Sequence, residues 1–192
     1  NVIAEILLKA RQTYANLRNC VRWYLSCVVA QFLTVVAGLS IHSFDPNRFP
    51  LMLNLTHLFW INLLVISFPC LVIIYKKDRG NLRKDKPEKT PPFLVKNVYS
   101  DFIMRGIIIS LITLVSYAFS VNSKGDSIQT VTCTTLIFSQ LFSIFQCFRH
   151  KNDRLTEVFQ SNIWLLITIL FSIVLHTISI SSPYLQTAIG FT

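Results

Sequence analysis

The residues best suited to chemistry in this 192-residue chain are polar side chains inside long apolar stretches. Asn62, Ser67 and Pro69 lie close together within one such stretch, residues 51–75. A proline inside a helix removes one backbone N–H donor. In a membrane, the carbonyls around an interrupted helix can coordinate an ion. The combination of an amide, a hydroxyl and a proline break predicts an ion pathway at this point of the chain.

Other polar residues at membrane depth are also candidates, because such residues are costly in lipid. The set comprises Gln31, Ser139, Gln140, Gln146 and His176. The alternative for each is a structural hydrogen bond between helices, worth about 0.6–2 kcal/mol. We prefer the structural interpretation for Gln140, Gln146 and His176, and keep both open for Gln31.

Several kinds of chemistry have no residues to support them. No Asp or Glu lies inside the predicted spans, whereas calcium prefers several carboxylate oxygens. We find no Ser/His/Asp set, His-rich metal cluster or phosphate-binding glycine loop, so we expect no catalytic residue, metal centre or ATP site in this chain.

The five cysteines are interpreted as small buried hydrophobic residues. Cys70 follows Pro69, but Phe68 precedes it, so no pair of metal-binding thiolates is expected there.

Composition indicates a polytopic membrane protein with an all-α fold. Only 14% of residues are charged, against about 25% in soluble domains. Apolar runs near the ~20 residues needed to cross a bilayer predict five spans, at about 22–41, 51–75, 102–121, 130–148 and 163–182. A helical stalk, residues 1–21, should continue into the first span. Trp23 and Tyr24 are interpreted as interfacial aromatics, and Arg105 as a side chain that reaches the interface.

The distribution of positive charge predicts the orientation. Sixteen of the eighteen Lys and Arg residues lie in residues 1–22, around residues 76–105 and at 149–154. The positive-inside rule therefore places the N-terminus and the 76–101 and 149–162 loops in the cytoplasm. The basic residues are interpreted as topology signals and lipid contacts, so we expect the bilayer as a partner and no nucleic acid.

Several short motifs occur in an order that resembles a known family. They are Ala10–Arg18, Phe59–Leu63 followed by Pro69, Thr134–Phe142, Asn162–Leu166 and Pro183–Gln186. Together they resemble helices five to nine, and the loop before helix ten, of P-type cation-transporting ATPases related to calcium pumps. The resemblance implies a fragment of an ATP-driven cation pump. ATP, Mg²⁺ and the phosphorylated aspartate would belong to the rest of the same polypeptide, and a bacterial plasma membrane is the expected location.

The candidate ion site departs from the family pattern. In calcium pumps of this family, helix six supplies an asparagine, a threonine and an aspartate, which fall here on Asn62, Val65 and Ile66. The glutamate of helix five falls on Gln31, and the acidic position of helix eight falls near Ser139. The transported cation therefore stays open. Two alternatives are a structural or regulatory membrane module without transport and an unrelated small polytopic transporter.

Overall fold

The computed structural model describes residues 2–74, 96–123, 127–148 and 163–191, and these residues are helical or lie in turns, with no β-strand. The helices are α1 (Val2–Phe44), α2 (Leu55–Ile61), a π-helical segment (Asn62–Ser67), α3 (Phe68–Ile74), α4 (Lys96–Asn122), α5 (Ile128–Phe148), α6 (Ile163–Ser181) and α7 (Pro183–Ile189). Five helical stretches are long and apolar enough to cross a membrane. The predicted all-α fold with five spans is confirmed.

The first helix is far longer than a bilayer requires. The 43 residues of α1 rise about 65 Å, which is more than twice the ~30 Å hydrocarbon core. No break separates residues 2–21 from the first predicted span. The prediction of one continuous helix through this region is therefore confirmed, and about half of α1 must extend beyond the core.

The spans pack in a defined order around α5. α1 packs mainly against α4, α4 packs against α5, and the second span packs against α6 and α1. Fully buried side chains from several helices form the shared core, including Trp23, Ile61, Leu136, Ile137 and Ile144. α1 and α4 approach closely at Gly106, where an added Cβ would lie 2.6 Å from Cγ1 of Val29. Small residues at such crossings let helix backbones come together.

Two sequence predictions need correction. Residues 96–101 were predicted as part of the basic loop, but α4 already begins at Lys96, because helical structure can extend beyond the apolar limit of a span. The segment after 182 was predicted as a loop, but Pro183–Ile189 is helical. Trp23, for which an interfacial depth stays a prediction, is fully buried within the bundle, and its indole N–H has partners on α5.

Local sequence explains the short α7. Proline occupies its first turn, where a missing N–H costs no helical hydrogen bond. Gly190 ends the helix in the left-handed conformation with φ 83°, as glycine commonly does. The chain then turns inward, so that Phe191 is only 6% exposed.

Phe191 packs between two buried histidines. Its ring stacks on His57 with a centroid separation of 5.0 Å and meets the edge of His176 at 5.7 Å. His57 Nδ1 accepts from the backbone N–H of Asn54, so its Nε2 carries the proton and donates to the carbonyl of Gly190 at 3.1 Å. The C-terminal segment is thereby attached to the start of the second span.

Candidate functional site

The second span changes its helical register around the candidate site. α2 passes at Asn62 into six residues of π-helix, and α3 follows from Phe68. In a π-helix each N–H bonds to the carbonyl five residues earlier. Pro69 is buried and has no N–H to offer. Pro69 therefore gives no backbone donor to the carbonyls of the preceding turn, where the chain passes from π-helix to α-helix and where Leu64 lies.

A neighbouring span replaces that donor. The hydroxyl of Ser172, on α6, donates to the carbonyl oxygen of Leu64 at 3.2 Å. Ser172 is fully buried and Leu64 is 1% exposed. The α2–π–α3 stretch thus stays helical, and one carbonyl released by the proline is satisfied from outside the helix. Ser172 was not among the predicted site residues.

Asn62 and Ser67 lie on a face that the other described helices leave open. Both are exposed, as is Leu63 beside them. The Nδ2 of Asn62 donates to the carbonyl of Leu58 at 2.9 Å, and the hydroxyl of Ser67 lies 3.5 Å from the carbonyl oxygen of Asn62. These hydrogen bonds of Asn62 and Ser67 both lie within the second span.

Gln31 and Gln140 are buried in the bundle. Gln140 is fully buried, and its Nε2 donates to the carbonyl of Cys27 at 3.3 Å. Gln31 is 8% exposed. Within the described part of the chain, Oε1 of Gln140 and Nε2 of Gln31 are buried without a hydrogen-bond partner. Buried amide atoms without a hydrogen-bond partner are rare and costly. Gln31 and Gln140 are therefore retained as candidates for a functional role.

The backbone around Gln140 also holds α1. The indole N–H of Trp23 donates to the hydroxyl of Ser143 at 3.0 Å and lies 3.3 Å from the carbonyl oxygen of Gln140. The hydroxyl of Ser143 in turn donates to the same carbonyl at 2.7 Å. These contacts join α1 and α5 next to Gln140. Sequence spacing alone did not identify them, because an interfacial tryptophan and a packed one have the same local pattern.

Ser139 borders a groove between α4 and α5. The groove has a volume of about 360 Å³ and is lined by Arg105, Ser139, Ser143 and apolar residues of both helices. Ser139 itself is half-buried. Arg105 and Ser139 therefore line the same groove.

Six of the sequence candidates are considered for the ion pathway, and they occupy different surroundings: Asn62, Ser67, Pro69, Gln31, Ser139 and Gln140. Asn62 and Ser67 lie on an open face, whereas Pro69, Gln31 and Gln140 are buried. Within the described ranges, the only hydrogen bond recorded between two of the six joins Ser67 to Asn62. The side chain of Gln146 lies outside the residues that can be described. Across the described stretches, no group of three His, Cys, Asp or Glu residues could hold a metal ion.

His176, the remaining polar candidate, has a structural contact. Its Nε2 lies 3.0 Å from the hydroxyl of Thr134, which already donates to the carbonyl of Thr130 at 2.7 Å. Nε2 of His176 must therefore be the donor to Thr134. This bond joins α5 and α6, as the structural interpretation of His176 proposes.

Comparison with known proteins gives the family. The chain is 23% identical to the "Calcium-transporting ATPase" of Bacillus subtilis (strain 168) over 188 residues, which is 96% of this chain and 20% of that protein. It is also 23% identical to "Calcium-transporting ATPase 1" of Bacillus cereus over 208 aligned positions, or 98% of this chain and 22% of that protein. The chain thus spans about a fifth of the length of these relatives. The family described as "Cation transporting ATPase, C-terminus" matches residues 50–192, and the chain belongs to this family.

Proposed function

We propose that this chain is the membrane part of an ATP-driven cation pump, with the ion pathway along its second span. The observation that carries the proposal is the π-helical segment Asn62–Ser67 followed by Pro69. π-Helical turns are rare and occur frequently at functional sites. Family membership supports cation transport as the activity, and it argues against an unrelated small transporter.

The proposed pathway uses neutral oxygen ligands. Asn62 and Ser67 supply an amide and a hydroxyl on the open face of the second span, while Gln31 and Gln140 supply buried amides. Ser139 would contribute a hydroxyl from α5. Pro69 would keep the helix in a register that can change during transport.

None of the proposed ligand residues has a carboxylate, and this affects which cation the pathway can bind. Amide and hydroxyl oxygens carry no net charge, so they compensate a divalent ion less well than carboxylates do. The relatives are named for calcium transport, but the substitutions at Val65, Ile66 and Gln31 favour a more weakly charged cation. We therefore propose a monovalent cation as the first candidate substrate.

ATP and Mg²⁺ are proposed for the longer protein. The described residues include no cluster of acidic side chains that could hold a metal ion, so no step of ATP hydrolysis is assigned to this chain. Its role would be to bind the cation and to move α1 relative to the second span. The proposed orientation has the N-terminus and the two basic loops in the cytoplasm of a bacterial cell.

An ATPase and flux assay tests the proposal. Full-length protein in sealed vesicles would be supplied with ATP and a panel of monovalent and divalent cations. We expect one cation to stimulate both phosphate release and its own transport, and Asn62→Ala to reduce both at least tenfold. Asn122→Ala changes an exposed amide at the end of α4 and should have no effect. The proposal would be contradicted if no cation changed the rate of phosphate release, or if Asn62→Ala left the rate unchanged.

The second candidate function is a regulatory or structural module without transport. It is favoured by one observation, the absence of acidic residues from the five apolar runs predicted as spans. The same vesicle assay decides between the two, because ATP-dependent movement of any cation excludes the second candidate.

A further inference from the structure

Two cysteines that are far apart in sequence meet between α1 and α3. The sulfur atoms of Cys20 and Cys70 are 3.1 Å apart, and both thiols are free. A disulfide bond is about 2.05 Å long, so the sulfurs need to approach by roughly 1 Å more. Cys20 is 5% exposed, whereas Cys70 is half-buried and is the easier of the two for a reagent to reach.

A second contact holds the two helices in register beside this pair. The Nδ2 of Asn16 donates to the carbonyl of Ile74 at 3.3 Å. Asn16 and Ile74 are each one helical turn from the paired cysteines, and Pro69 directly precedes Cys70. The thiol pair is therefore part of an ordered contact between α1 and the end of the interrupted second span.

We propose that Cys20 and Cys70 form a redox-sensitive thiol pair, which closes to a disulfide in the presence of an oxidising low-molecular-weight disulfide. Cys70 loses its proton, and its thiolate attacks the external disulfide, which releases one small thiolate and leaves a mixed disulfide. Cys20 then loses its proton and attacks the Cys70 sulfur, which releases the second small thiolate. The protein loses two electrons and two protons, and the oxidant becomes two thiols.

The disulfide would tether α1 to α3 next to the π-helical segment. This consequence rests on the proposed function, in which α1 moves relative to the second span. Disulfides in reducing compartments are usually transient and regulatory, so a bond that forms and breaks with the thiol pool fits the predicted cytoplasmic end of these helices. Oxidation would stop the movement and reduction would restore it.

Peptide mapping tests the bond itself. Membranes containing the full-length protein would be treated with glutathione disulfide, free thiols would be alkylated, and the protein would be digested with trypsin without reduction. Cleavage after Arg18, Arg22, Arg48 and Lys76 leaves Cys20, Cys27 and Cys70 on three separate peptides, 19–22, 23–48 and 49–76. We expect a linked 19–22/49–76 pair that dithiothreitol removes. Recovery of both peptides only in alkylated form would overturn the proposal.

Matched variants separate this pair from the neighbouring cysteine. Cys20→Ser should abolish the linked peptide, and Cys27→Ser, which changes a buried cysteine two turns away on α1, should retain it. Linkage of 23–48 to 49–76 in the unmodified protein would assign the reactive pair to Cys27 instead and overturn the proposal.

Phosphate release by the same membranes tests the consequence. Oxidation should lower the cation-stimulated rate at least fivefold in the unmodified protein, dithiothreitol should restore it, and Cys20→Ser should be insensitive. If the linked peptide forms but the rate of phosphate release does not change, the proposed effect of the disulfide on transport is wrong. The proposal that Cys20 and Cys70 form a disulfide is then still supported. If no cation stimulates the rate before oxidation, the proposed function fails, and peptide mapping still decides on the bond.

Discussion

The hydroxyl of Ser172 lies 3.2 Å from the carbonyl oxygen of Leu64, across the contact between α6 and the second span. Pro69 removes one backbone donor from the turn that contains this carbonyl, and a serine from another helix supplies a hydroxyl donor to it. The contact explains how an interrupted helix can be buried without the penalty of an unsatisfied carbonyl. It also links the position of α6 to the register of the second span.

Removing the Ser172 hydroxyl should destabilise the protein. Ser172→Ala leaves the buried Leu64 carbonyl without a donor and should lower the free energy of unfolding by about 1 kcal/mol, the scale of such bonds within membranes. Thermal unfolding of the purified protein in detergent measures this. Ser181→Ala is the control, because Ser181 is exposed and bonds only to the carbonyl of Thr177 in its own helix. Equal shifts for the two variants would contradict the assigned role.

Pro69→Ala should make Ser172 less important. The new backbone N–H can bond to a carbonyl of the preceding turn, so the span no longer needs a donor from α6. In a double-mutant cycle, Ser172→Ala should cost less in the Pro69→Ala background than in the unmodified protein, with a coupling of at least about 0.5 kcal/mol. Additive effects of the two substitutions would show that the serine does not compensate for the proline.

The contact between α1 and α4 should be sensitive to volume at Gly106. In Gly106→Ala the new methyl group would lie 2.6 Å from Cγ1 of Val29, and such overpacking typically costs about 1–3 kcal/mol. Val29→Ala in the same protein should recover only part of the loss, because Cβ of Val29 would still lie 2.8 Å from the new methyl group. Gly38→Ala serves for comparison, because its nearest neighbour is the flexible side chain of Met52, with Sδ at 2.9 Å. Thermal unfolding should show a smaller shift there.

The C-terminal segment should contribute to stability through Phe191. Phe191→Ala removes the ring between His57 and His176 and should cost about 3 kcal/mol, as large core truncations do. Tyr184→Ala removes an aromatic ring that is 88% exposed and should change the unfolding midpoint little. Similar midpoints for both variants would indicate that the segment is not held as described.

A carboxylate at Gln31 should make stability depend on cations. Gln31 is 8% exposed, so Gln31→Glu buries a charge without a compensating partner and should lower the unfolding midpoint in the absence of divalent ions. Millimolar calcium should recover part of the loss if the position can contribute a ligand. Asn122→Asp, at an exposed amide at the end of α4, controls for general effects of added charge. A calcium response confined to that control would argue against a ligand position at Gln31.

The sequence alone determined the fold class, the number of spans and the family. Apolar runs of bilayer length and the clustering of Lys and Arg are local properties, so they can be read without knowing which helices touch. The same holds for the motif around Asn62 and Pro69, which predicted an irregular helix. The end of the basic loop was less well predicted, since α4 begins at Lys96, six residues before the apolar limit.

Only the tertiary structure determined which residues of different helices contact each other. Ser172 with Leu64 and Cys20 with Cys70 are contacts between side chains or backbone groups that lie 108 and 50 residues apart. Trp23 is buried in the core, where its indole N–H donates to the hydroxyl of Ser143. The sequence around Trp23 does not show this contact. The physical reason is that residue spacing predicts which face of a helix is apolar, whereas helix packing determines which neighbour that face meets.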